Sequence, residues 1–496
     1  MDFTVLHLAV PRLSTALEPS STQLLWIVDI YGFLLSGSLI TMGIVGDRVG
    51  RRKLLLIGAA VFAVVSVLAA LSTNSAELIL ARAVLGVAAA TLAPSTLSLI
   101  RNMFFDPRQR TVAIGVWVAS FATGTAIGPL VGGALLTHFW WGSVFLIAVP
   151  PMVLLLILAP FLLPEYRDPN AGRIDLPSVV MSLIAVLAVV YGIKQIAENG
   201  FQGVDLGVIL VGLAVAVVVI HRQGKLDDPF IDLKLFHSRV FSTTLVINLL
   251  TFFVTFAAFF FITQYLQLVL GLGPLAAGLW TLPLSVTQII GSLLTPRILR
   301  RFKPKTVVAA GLMLAAVGFT VVAQVGGNHD LTLIVVGSII FSFGLIQVIT
   351  LATDLIVGSV AAERAGVASG LSESSSDFGG ALGIALLGSA AAALYRSQIR
   401  DAIPAGVSPH IAAVSKDTLA GALSMAGQLP ATTARTLIVG ARTAFTNATT
   451  LGFSLCAIVA LASAIGAMLL LNGAAGIDEP AAAEPAVSEE PVPDLG

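Results

Sequence analysis

Met42-Gly-Ile-Val-Gly46-Asp47-Arg48-Val-Gly50-Arg51-Arg52-Lys53 is a short polar turn between two long apolar runs, 23–46 and 54–72. Gly46 and Gly50 let the backbone turn tightly at a helix end. Asp47 stands where basic groups of neighbouring helices can reach it and latch one half of a helix bundle closed. Each flanking run has the roughly 20 residues that a helix needs to cross a hydrocarbon core about 30 Å thick. Such runs recur near 1–17, 23–46, 54–72, 77–100, 110–137, 142–163, 175–197, 204–221, 240–268, 274–296, 305–325, 331–358, 365–393 and 438–471, which makes fourteen expected spans. Glycine and proline inside them are tolerated, because neighbouring membrane helices approach closely and re-satisfy freed carbonyls.

Composition agrees with that pattern. Of 496 residues, 57% are hydrophobic and 11% charged, with a mean hydropathy of +0.96, so lipid has to cover much of the exterior. Formal net charge is zero, which leaves no basic field to hold a nucleic acid. The one cysteine, Cys456, lies in an apolar run and reads as a core residue, with no thiolate set for a metal and no disulfide framework. The opening residues, Met1 to Pro11, carry neither a charged leader nor a small-residue cleavage site and do not read as a signal peptide.

Lys and Arg collect in alternate loops: Arg48 to Lys53, Arg101 to Arg110, Arg167 and Arg173, Arg222 to Arg239, Arg297 to Lys305, and Arg364. The intervening loops 138–142, 198–203, 269–273 and 326–330 have none. Basic loops stay inside, so both termini are expected in the cytoplasm and the chain in the inner (cytoplasmic) membrane. Residues 410–428 alternate apolar and polar at helical spacing, which predicts an amphipathic outer helix in an otherwise long extracellular loop, 394–437. The tail 473–496 is Ala, Pro and Glu-rich without a basic residue, a composition expected to stay disordered.

Three further patterns carry chemistry. Gly124-Thr-Ala-Ile-Gly128-Pro129-Leu-Val-Gly132-Gly133 lies mid-span, where glycines four apart open a groove for a partner helix and Pro129 removes a backbone hydrogen bond. Arg82, in Ala81-Arg82-Ala-Val-Leu-Gly86, is costly at membrane depth unless paired, and can modulate the proton affinity of a nearby carboxylate. Finally, Asp29 in the second span and Glu373 with Asp377 in the thirteenth are acids inside apolar runs. Glu373 and Asp377 are four apart and share a helical face. A carboxylate in a low-dielectric bundle holds its proton until water or a cation reaches it, which is the chemistry of proton-for-cation exchange. Asp354, near a helix end, is expected to pair with Arg364. The ninth span is rich in phenylalanine, from Phe252 to Phe261, and Phe256 and Phe260, with Trp26 and Tyr31, are the aromatic candidates for a drug-binding cavity.

The turn at 42–53 resembles the signature loop of the major facilitator superfamily, with a degenerate echo at Arg297–Lys305. The glycine-rich stretch 124–133 resembles the motif of its antiporter branch, and Ala81–Gly86 its buried-arginine motif. Together with Asp2-Phe-Thr-Val-Leu-His-Leu-Ala-Val-Pro11 and Gln23-Leu-Leu-Trp26-Ile-Val-Asp29-Ile-Tyr31, these appear in the order found in the fourteen-helix drug:proton antiporters, the quaternary-ammonium resistance exporters among them. The resemblance implies an all-α polytopic fold of two six-helix bundles, 1–163 and 240–472, joined by two inserted helices and a linker, 164–239. It also implies efflux of lipophilic, cationic compounds in exchange for protons. Asp2, Asp29, Glu373 and Asp377 would correspond to the family's membrane acids. Some relatives have two adjacent acids on the thirteenth helix and another on the tenth. Here Ser372 precedes Glu373 and no acid lies between 274 and 296, which puts acceptance of dications in question.

The resemblance implies no cofactor beyond the proton as coupling ion and no obligate protein partner. Export of one endogenous metabolite or lipid is the alternative. A membrane enzyme is disfavoured because the chain has no H-E-x-x-H, nucleophile elbow or phosphate-binding loop. In the family pattern the first-helix aspartate lies well inside the membrane, whereas Asp2 here follows the first methionine. Residues 1–16 give only about 24 Å of helix, so the natural chain is expected to begin about 10 to 30 residues upstream.

Overall fold

The structure is a computed structural model and describes residues 5–6, 9, 12–13, 16–17, 19, 21–167, 176–199, 202–226, 233–326, 330–360, 365–404 and 407–471. Asp2, Arg364 and the tail 473–496 lie outside the described residues, as do the side chains of Asp29 and Pro129.

Among the described residues the chain is helical, with no strand. Helices α1 (Ser21–Val49), α2 (Arg51–Ala70), α3 (Ser75–Met103) and α4 (Pro107–His138) lead to a broken passage, α5 (Ser143–Leu146) and α6 (Val149–Leu162). Next come α7 (Leu176–Asn199) and α8 (Gly203–Gln223), then α9 (Arg239–Gln264), α10 (Pro274–Leu299), α11 (Pro304–Val322), α12 (Asp330–Gly358) and α13 (Ala365–Ala402). Two short helices, α14 (Pro409–Asp417) and α15 (Leu419–Ala426), precede α16 (Ala431–Leu470). Eleven passages are long and apolar enough to cross a membrane, and α4 and α7 occupy two more of the expected spans.

Local chemistry sets the starts. Asn74 accepts from the Glu77 amide at 3.0 Å while Glu77 Oε2 accepts from the Thr73 amide at 2.8 Å, a reciprocal cap on α3. Asp106 caps α4 at the Arg108 amide, and Pro107, Pro274, Pro304 and Pro409 each occupy the first turn, where no amide is needed.

Buried apolar side chains gather in two principal cores. One draws on residues from Val5 to Phe145, with Ile27, Phe62, Leu85 and Trp141. The other spans Ile247 to Leu471 and includes Phe261, Phe319, Phe341 and Phe453. Helices α7 and α8 pack on each other, and α7 also lies along α1 and α13.

Two expectations are corrected. The segment 394–437 is mostly helical, because α13 runs on to Ala402 and α16 begins at Ala431. Tyr395, Ile399 and Leu437 bury against Leu419, Ala422 and Ala426 of α15, and that satellite core makes further helix worthwhile. The single amphipathic helix expected at 410–428 is two. Thr418 adopts an extended conformation and its hydroxyl accepts from the Gly421 amide at 3.0 Å, ending α14 and capping α15.

The two cores meet along α1 with α13 and along α4 with α10 and α12. These contacts crowd toward the ends that carry the basic loops. A Cβ on Gly43 would collide with the Gly366 carbonyl, and one on Gly366 with the Gly43 carbonyl. One on Gly115 would lie 2.7 Å from the Ser292 carbonyl. Asp354 on α12 is held from another helix: its Oδ1 accepts from Arg110 Nε at 2.6 Å and its Oδ2 from the Thr111 hydroxyl at 2.5 Å, both on α4. The pair bridges the two cores. Arg101 adds a bond to the Val360 carbonyl at 3.3 Å.

Asp354 is buried and Arg110 half-buried. Removing one partner of a fully buried pair costs about 3–5 kcal/mol and of a half-buried one less, while replacing both with apolar residues is close to neutral. Asp354→Ala is therefore expected to lower the melting temperature of the detergent-purified protein markedly, and Asp354→Leu with Arg110→Leu to recover most of the loss. Equal melting temperatures for the single and double variants would remove the ion pair as a stabilising contact.

Candidate functional site

Helix α13 has three working faces, set by a turn of about 100° per residue. Ser372, Ser376, Gly379 and Gly383 share the face toward α9. There a Cβ on Gly379 or Gly383 would collide with the carbonyl of Leu249 or Phe253. The fully buried Asn248 reaches the Ser372 carbonyl at 3.1 Å and the Ser375 and Ser376 hydroxyls at 3.0 and 2.9 Å. A second face, with Gly366, Gly370 and Asp377, lies on α1. A Cβ on Gly370 would sit 2.9 Å from the Ile40 Cα, and the Ser36 hydroxyl donates to Asp377 Oδ2 at 2.7 Å. Glu373 and Gly380 occupy the strip between those faces, so the half-buried Glu373 sits between the α9 and α1 seams, one turn from Asp377.

The aromatic candidates separate. A Cβ on Gly380 would lie 2.9 Å from the Phe256 ring, which places the exposed Phe256 beside the acid-bearing strip. Phe260 lies farther along, near Gly388. Phe253 and Phe261 are core residues, and Phe259 is exposed. Trp26 is exposed and meets Phe33 edge-on, with 6.3 Å between ring centroids. Tyr31 is not available in the same way. It is buried and lies under Arg82, whose guanidinium carbon is 4.7 Å from the ring centroid.

Arg82 itself is fully buried and does not reach for the membrane surface. Its Nε donates to the Ile27 carbonyl at 3.0 Å and its Nη2 to the Val28 carbonyl at 3.3 Å, so α3 holds α1 at the two residues before Asp29. The backbone of Asp29 is helical within α1, seven residues and about two turns from Ser36.

In the signature loop Asp47 pairs with Arg51, one turn on in the same loop, and both are buried. Arg51 opens α2, so the basic group that Asp47 takes comes from the adjoining helix. Arg51 in turn faces α13, where a Cβ on Gly366 would run into its guanidinium. Gly50 has φ +115°, a conformation that favours glycine. Its amide bonds to the Gly46 carbonyl at 3.1 Å. Glu165 accepts from the Arg52 and Lys53 amides at 3.2 and 3.1 Å, capping α2 from a residue 112 positions away from Lys53. Arg48 lies in the last turn of α1.

Helix α4 runs unbroken through the glycine-rich stretch. The groove expected of its glycines is partial. A Cβ on Gly132 would lie 2.5 Å from Val5 Cγ1, and Gly128 is buried, but Gly124 and Gly133 have nothing within 4 Å.

Ser36, Asn248, Glu165 and the Arg110–Asp354 bridge escaped the sequence. A buried asparagine in a phenylalanine-rich span was a signal for Asn248, since an unsatisfied amide is costly in an apolar bundle. Ser36 lies among several serines and glycines that pattern alone does not rank.

The sequence model of the Major Facilitator Superfamily matches residues 1–384. The multidrug efflux pump LfrA of Mycolicibacterium smegmatis is 42% identical over 96% of this chain and 92% of its own length. The methyl viologen resistance protein SmvA of Salmonella typhimurium is 33% identical over 95% and 93%. Among solved structures, the human organic anion transporter MFSD10 superposes with a TM-score of 0.54 at 16% identity, over 91% of this chain and 88% of that one, a likeness of fold. With two cores meeting along α1, α4, α10 and α13, and the signature loop closing on α13, the match over residues 1–384 establishes that this chain belongs to the Major Facilitator Superfamily of secondary transporters.

Proposed function

We propose that the protein is a proton-driven multidrug efflux antiporter that exports lipophilic, cationic compounds. The observation that carries this reading is the acid pair of α13, with Asp377 on the α1 face and Glu373 on the strip between the α1 and α9 seams, Phe256 alongside. Relatives named for multidrug efflux and for methyl viologen resistance support it. An aromatic face attracts a cation and stacks a planar ring, and an ionised carboxylate supplies the counter-charge. A proton on Glu373 or Asp377 competes with that cation, so proton entry on one side favours drug release.

In this reading the bundles 1–163 and 240–472 rock about the shared site, with 164–239 inserted between them. Basic loops face the cytoplasm, both termini are cytoplasmic and the membrane is the inner one. The crowding of inter-core contacts at the basic ends then corresponds to a site shut off from the cytoplasm. The proton is the coupling ion, Asp2 and Asp29 belong to the same proton-handling set, and no cofactor, nucleic acid or obligate protein partner is required.

Glu373→Gln and Asp377→Asn imitate the permanently protonated acids. Each is expected to abolish dye accumulation by inverted vesicles under an imposed pH gradient, at unchanged expression. Normal accumulation by both would sink the assignment, and a defect limited to cationic dyes would make the residue a charge reader. Loss of gradient dependence with a single metabolite as the only cargo would favour the narrower exporter.

Gly132→Leu forces a side chain against Val5 and separates α4 from the N-terminal segment that carries it. Transport is expected to fall at least several-fold, on the order of what a lost close helix contact costs, while membrane insertion is retained. Equal activity at equal expression would show that close approach there is dispensable.

A further inference from the structure

Asp377 is bonded across the boundary between the two cores. Its Oδ2 accepts from Ser36, 341 positions earlier, on a helix of the other core. Three points of contact follow one another along α1 and α13: Gly43 with Gly366, Ile40 with Gly370, and Ser36 with Asp377. The first two are backbone against backbone, made possible by glycine. The third is a side-chain bond, and it lies at the end of the series farthest from the basic loop. Val179, Leu183 and Leu187 of α7 flank the same stretch, packing near Ile40, Ile44 and Gly37.

We propose that Ser36 is the positioning residue through which α1 senses the charge on Asp377, so that the seam between the two halves holds while the acid is ionised and loosens when it takes up a proton. The proposal rests on the reading of Asp377 as a proton carrier. A hydroxyl that donates to a carboxylate makes a charge-assisted bond, roughly twice as strong as one to a neutral acceptor. Protonation of Asp377 leaves a neutral carboxyl, and the same hydroxyl then binds it with about half the strength. The glycine contacts on the seam carry no charge and do not change with protonation. The Ser36 bond is a part of the seam whose strength follows the proton. Glu373, one turn away on the strip beside the seam, supplies the carboxylate that a cation meets, while Asp377 reports protonation to α1. A division of labour between the two acids follows from their different faces.

Alanine at position 36 removes the hydroxyl and little volume, and threonine keeps it, so the pair of variants separates the bond from packing. The full chain in proteoliposomes, with Cys456→Ser, provides the background. In gradient-driven dye transport, Ser36→Ala is expected to lower the maximal rate on the order of ten-fold, the scale of a lost bond to a charged group, with KM for the dye unchanged. Ser36→Thr is expected to restore the rate.

Seam opening is read separately, from the labelling rate of a cysteine at Leu371, which packs beside Ile40. Ser36→Ala should speed labelling, Asp377→Asn should also speed it, and the double variant should match Asp377→Asn alone. Wild-type transport by Ser36→Ala, or equal effects of Ser36→Ala on labelling with and without Asp377→Asn, would overturn the role of Ser36. Wild-type transport by Asp377→Asn would instead overturn the proton reading.

Discussion

A charge taken out of water has to be matched where it sits, and in a bundle surrounded by hydrocarbon there is little water to correct a mismatch. Four such matches organise this molecule. Arg82 is satisfied by two carbonyls and an aromatic face. Asp47 takes Arg51, and Asp354 takes Arg110 and Thr111. Asp377 takes Ser36. Each one joins helices that are distant in sequence or closes a loop onto a neighbour. The apolar side chains between them supply most of the contact area, but they would fit many neighbouring registers. Polar matches select the register that is adopted.

Glycine makes the selection possible. Between α1 and α13, and between α9 and α13, backbones come so close that a single methyl group would collide with a carbonyl at several positions. Two helices meeting through glycine gain dispersion contact over backbone atoms and can part without extracting interlocked side chains. The boundary between the halves is of this kind at Gly43 and Gly366, and although α9 and α13 within the second half also meet through glycine, each half is filled in addition with Phe, Leu and Val packed in one core. The halves therefore hold together internally and remain separable from each other.

Much of this was legible in the sequence because lipid imposes a length and a periodicity. Span positions, the turn at 42–53, the glycine-rich stretch and the acids of α13 followed from run length and from charges placed where charges are costly. What was not legible depends on pairing between distant segments. Nothing in the spacing of Asp354 announces that Arg110 and Thr111, more than two hundred positions earlier on α4, bond to it. Tyr31 looked like a cavity aromatic, and Arg82 from another helix covers it. Ser36 is one of many serines, and only the position of Asp377 distinguishes it. The outer segment 394–437 was read as loop because its hydrophobicity is too low for a membrane span, but helices packing on one another outside the lipid need only one apolar face.

Helix α7 runs beside the junction of α1 and α13 for much of its length, from Val179 near Ile44 and Val367 to Ile193 near Ala385. Among the described residues, neither α7 nor α8 covers the junction of α4 with α10 in this way. Beyond Gly115, α4 turns Phe121 and Ile127 outward, α10 turns Leu279, Trp280 and Val286 outward, and Gly124 and Gly133 border empty space. Among the described residues the two junctions are therefore not equivalent: three helices share the first, while exposed aromatic and aliphatic side chains border the second.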